Sequence, residues 1–121
     1  LDASTGSTVG TYSVGNGPWG ICFDGTNIWI ANLLDDTVSK LDAATGSTVG
    51  TYSVGDKPYG VAFDGRNIWV TNGGDNMVSR LNMATGSTVD TYSTGSLPFG
   101  VAFDGANIWV VDGNSNTVSK L

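Results

Sequence analysis

The sequence repeats itself every 40 residues, and no other feature restricts the fold so tightly. Residues 1–40, 41–80 and 81–120 align without a gap, Leu121 opens a fourth copy, and 20 of the 40 columns are identical in all three. A fixed period of this length means a solenoid, a propeller or an array. Helical and leucine-rich repeats need Leu or Ala patterns that are absent. The chain also has 11 Asp but no Glu and no Gln, so it lacks the residues that cover solvent-facing helices. Four short strands per 40 residues remain.

The turns place those strands. In the first copy an apolar segment at 18–23 ends at Asp24-Gly25, a tight-turn dipeptide. A second strand covers 27–32, residues 33–36 form a loop, a third strand covers 37–42, and the turn 43–46 leads into a fourth at about 47–54. Pro58 falls in the connection to the next copy, where it breaks no ladder. The first two strands carry Ile21, Phe23, Ile28, Trp29 and Ile30 on both faces, whereas the last two place apolar residues among Thr and Ser. Strands apolar on both faces are covered on both. The expected fold is all-β, a β-propeller of four-stranded antiparallel blades, with residues 1–121 forming one three-blade domain.

The string VGxxPxGVAFDGxNIWVTN…DNxVSxLxxATG, fullest at Val54–Gly60, Val61–Asn72 and Asp75–Gly86, resembles the YVTN-type repeat of surface-layer and streptogramin-lyase-like β-propellers. The resemblance implies a propeller, a ligand site on the top face near the channel mouth, and an extracytoplasmic or secreted setting. Lyase-like members use His and Glu around a bound magnesium ion. This chain has neither residue type, so no catalytic residue, metal ligand or cofactor is carried over.

The order of elements predicts how the ring closes. A strand at 7–14 precedes the first complete blade, and the chain leaves on a third strand at 117–121, so these two segments are parts of one split blade. Three blades cannot close around an axis. They leave two apolar faces bare, and such surface drives association. Two chains related by a twofold axis form a six-blade ring in which strand 7–14 of each completes the other's last blade. A nine-blade homotrimer is the runner-up. Leu1 in place of Met also fits a fragment of a longer propeller or an engineered piece.

A net charge of −6 with 5 scattered Lys and Arg offers no basic stripe for nucleic acid or for an anionic membrane. The lone Cys22, aligned with Ala62 and Ala102, reads as a small buried residue with no base to activate it. Asp24, Asp64 and Asp104 precede Gly and read as turn caps. Asp35, Asp36, Asp75 and Asp112, in or near the varied loops, read as solvated acids rather than cation ligands. Trp29, Trp69 and Trp109 share one mid-strand column and read as packing between blades. Trp19, Tyr59 and Phe99 share another at the entry to the innermost strand, next to the variable Asn16, Asp56 and Ser96. Aromatic rings at a channel mouth suit stacking on a sugar or a flat apolar ligand. The expected function is therefore a non-enzymatic, self-assembling scaffold or binding module. A lectin-like binder of glycans or small ligands, using these six residues, is the alternative. A cation-dependent lyase-like enzyme is the lower one.

Overall fold

The computed structural model describes all 121 residues. Eleven strands are formed: β1 (Pro18–Phe23), β2 (Asn27–Asn32), β3 (Thr37–Asp42), β4 (Thr48–Ser53), β5 (Pro58–Phe63), β6 (Asn67–Asn72), β7 (Met77–Asn82), β8 (Thr88–Ser93), β9 (Pro98–Phe103), β10 (Ile108–Asp112) and β11 (Thr117–Lys120). They make three antiparallel meanders, β1-β2-β3-β4, β5-β6-β7-β8 and β9-β10-β11, which stack as consecutive blades of a β-propeller.

Two Asx turns build each four-stranded blade, and the three-stranded blade has the first of them. Asp24 Oδ1 accepts the backbone N–H groups of Thr26 and Asn27, and Asp64 and Asp104 repeat this at the other β-hairpins. Gly25, Gly65 and Gly105 then supply the positive φ that the turn demands. Between the third and fourth strands, Asp42 Oδ1 accepts from the N–H groups of Ala44 and Thr45, and Asn82 does the same for Ala84 and Thr85.

Alternation along the strands gives each blade two apolar faces. Trp29, Ala31 and Val38 of the first blade bury themselves against Val61, Ile68, Val70 and Leu81 of the second. Trp69 and Val78 of the second do so against Ile108 and Val110 of the third. The two interfaces use the same columns. The outer strands β4 and β8 are exposed, as the sequence gradient implies, but the third strands β3 and β7 are buried along with the second. The inner strand β5, with a blade on each side, has no exposed residue, whereas Ile21 of β1, on the free face of the first blade, is 65% exposed.

The third blade lacks an outer strand, so eleven strands form rather than twelve. Residues 7–14 make no ladder within the chain because their expected partner, β11, lies at the opposite end of the stack. They nevertheless hold the place of an outer strand. Asp2 caps Ser4 and Thr5 as Asp42 caps its own turn, and the Tyr12 ring covers Gly46 as the Tyr52 ring covers Gly86.

Candidate functional site

The innermost strands approach one another so closely that only glycine fits between them. A Cβ on Gly20 would strike the carbonyl oxygen of Tyr59, and one on Gly60 would strike that of Phe99. This closeness brings the preceding side chains together. Trp19, Tyr59 and Phe99 form one cluster, with ring centroids 5.5 Å apart for Trp19–Tyr59, 6.3 Å for Trp19–Phe99 and 4.2 Å for Tyr59–Phe99. With the three glycines behind them they line an open cleft of about 200 Å³. Trp19 is 61% exposed, so the cluster offers apolar ring surface to solvent.

The polar neighbours predicted beside the rings lie in the adjoining loops, outside the cleft lining. Asn16 donates its Nδ2 to Asp35 Oδ1 at 2.9 Å, and its backbone N–H goes to Asp35 Oδ2. Those bonds, the backbone one first, hold the Asp35 carboxyl below the usual range. Asp56 and Ser96 repeat the backbone link, to Asp75 Oδ2 and Ser115 Oγ. One position on, Asp36 and Asn76 sit at φ 53° and 55°, a left-handed conformation that Asp and Asn tolerate. Each reaches across to the next blade, to the N–H groups of Lys57 and Leu97, both at 2.9 Å. Much of the variation in these loops therefore falls on side chains that tie loop to loop.

Asp24, Asp64 and Asp104 do more than cap turns. Each Oδ2 accepts the indole N–H of the tryptophan five residues on, at 2.7 Å in all three. Burial opposes the charge of Asp24, but the bonds from Trp29, Asn27 and Thr26 outweigh it and hold the carboxyl below its ordinary range. The sequence shows both columns but not their bond; the constant Asp-to-Trp spacing is its available signal. A cation lies over each tryptophan ring as well: Lys40 at 4.9 Å from the Trp29 centroid, Arg80 at 5.9 Å from Trp69 and Lys120 at 5.1 Å from Trp109.

The remaining candidates have structural surroundings. Burial, and then the charge of Asp24, push the Cys22 thiol up to about 12, which keeps it protonated at neutral pH. Asp112, expected to be a solvated acid, is buried instead, because it occupies the column of Asn32 and Asn72. It accepts from Gly95 N–H and from the hydroxyls of Thr117 and Ser119. No three His, Cys, Asp or Glu residues stand together in a geometry that would hold a metal ion.

Solved structures share the fold. The chain superposes on hydrazine synthase from Kuenenia stuttgartiensis with a TM-score of 0.70 at 24% identity, over 95% of this chain and 38% of that one. It superposes on a streptogramin B lyase with a TM-score of 0.72 at 21% identity, over 91% of this chain and 43% of that one. The chain thus spans less than half the length of either. No protein-family model and no curated protein matches it.

Proposed function

We propose that this chain is a non-enzymatic β-propeller module whose ring is completed by a second copy, and that it serves as a scaffold or binding module. The observation that carries this reading is the pairing of two defects. A three-stranded blade has an open edge at β11, and an unladdered segment at 7–14 already holds an outer strand's position. The absence of His and Glu and the protonated state of Cys22 support the non-catalytic part. Light scattering at micromolar concentration tests the assembly. Twice the 12.5 kDa chain mass is the expected result. A monomer refutes closure, and a trimer refutes the six-blade ring.

The contact among Trp19, Tyr59 and Phe99 favours a second reading, a small-ligand or glycan site at the channel mouth. The test screens glycans and flat aromatic compounds, then changes all three residues to Ala. Binding that survives the triple change places the site elsewhere, and no binding in the screen removes this reading.

A further inference from the structure

We propose that the second copy docks head to tail by repeating the internal interface between blades, with its β1 laid against β9 and its residues 7–14 added as a fourth strand beyond β11. This rests on the closure reading above and specifies which atoms make the contact. Each contact between consecutive blades occurs twice inside the chain and is half-built, in the same columns, at the two ends.

Gly100 is the clearest case. Gly20 and Gly60 are glycines because the next inner strand's backbone leaves no room for a Cβ. A Cβ on Gly100 would meet nothing nearer than Val111 Cγ2 at 3.6 Å, an ordinary contact. Nothing within the chain requires glycine there, whereas a following blade would, because the carbonyl oxygen of its Trp19 falls where those of Tyr59 and Phe99 stand.

The outer columns agree. Trp29 packs on Tyr52 at 5.8 Å and Trp69 on Tyr92 at 5.6 Å, but Trp109, beneath Lys120, has no tyrosine and is 37% exposed. Tyr12 is the tyrosine of that column, and it is 52% exposed. Asn116 has the same left-handed loop conformation as Asp36 and Asn76, at φ 54°, and its equivalent target is the N–H of Gly17 in the second copy. The register follows as well. Ser39 pairs with Thr51 and Ser79 with Thr91, so Ser119 pairs with Thr11 of the second copy.

Two variants of the full chain test the interface. Gly100→Ala should melt unchanged at concentrations where the chain is monomeric, yet associate about tenfold more weakly or worse, because the new methyl meets backbone that cannot yield. Thr11→Cys with Ser119→Cys, in a Cys22→Ala background, should give a disulfide-linked species of twice the chain mass under oxidised glutathione. A shifted pair, Ser13→Cys with Ser119→Cys, should give far less. If the unmodified chain stays monomeric, the closure reading itself fails. If it associates, but Gly100→Ala associates equally well or the shifted pair links as readily, the docking geometry proposed here is wrong.

Discussion

Replacing Asp24 with Asn removes the carboxylate charge and the Oδ2 acceptor. The side chain keeps its size and one carbonyl-type oxygen for the N–H groups of Thr26 and Asn27, but an NH2 group now faces the Trp29 indole N–H, which had donated to Oδ2 at 2.7 Å. Two donors confront each other where the Trp29 side chain is completely buried, so water cannot take the place of the lost acceptor. A hydrogen bond to a charged group contributes roughly 1.5–3 kcal/mol, and a buried unsatisfied donor costs a similar amount; because the two overlap, the expected loss is about 2–4 kcal/mol. For a domain of this size that lowers Tm by roughly 10 °C. The assay is thermal unfolding by circular dichroism at one fixed protein concentration, since association shifts apparent stability. The sign with pH follows from the lowered carboxyl. A depressed acid adds stability above its unfolded pKa, near 3.9, and loses it as pH falls through the folded value. The gap between the original chain and Asp24→Asn should therefore be full at pH 7 and narrow below about pH 4. Asp104→Asn should cost less in the monomer, because Trp109 is partly exposed and water can accept its N–H. A gap under about 0.5 kcal/mol at pH 7, or one that does not change down to acid pH, would refute the reasoning.

Lys57 holds φ 54° in the column where the first copy has Gly17. Lys57→Gly should therefore raise stability by up to about 1 kcal/mol in chemical denaturation, the relief of left-handed strain exceeding the entropy cost. Cys22, with its thiol pushed up to about 12, should react with a thiol reagent at pH 8 far more slowly in the folded chain than in denaturant. Equal rates would mean that its surroundings exert no such hold. Gly60→Ala should destabilise the chain by about 1–3 kcal/mol or more, because the Phe99 carbonyl occupies the space the methyl needs; an unchanged melt would contradict the close approach of β5 and β9.

The amino-acid sequence carries the repeat, the four-strand unit and nearly every strand boundary. Those properties are local: Asp-Gly before a strand makes a tight turn in any tertiary setting, and alternation fixes which columns share a face. It also showed that the third blade is incomplete, since the register of the repeat is visible without coordinates. Pairing between distant columns was beyond it. The bond from Asp24 to the Trp29 indole depends on how a turn side chain meets a neighbouring strand, and the ties from Asp36 to Lys57 and from Asn76 to Leu97 depend on how one blade sits on the next. The contact among Trp19, Tyr59 and Phe99 arises only when the blades stack, because their separation is set by the distance between inner strands. The stacking also buries the third strands β3 and β7 with the second, although they carry Thr and Ser. Burial is a property of layers: Ile21 is exposed on the free face of the stack, whereas Val61, its equivalent between two blades, is buried. Gly100 shows the division most plainly. Its identity was visible as one column among forty, but its freedom from any contact that would demand glycine appears only when the blades are stacked.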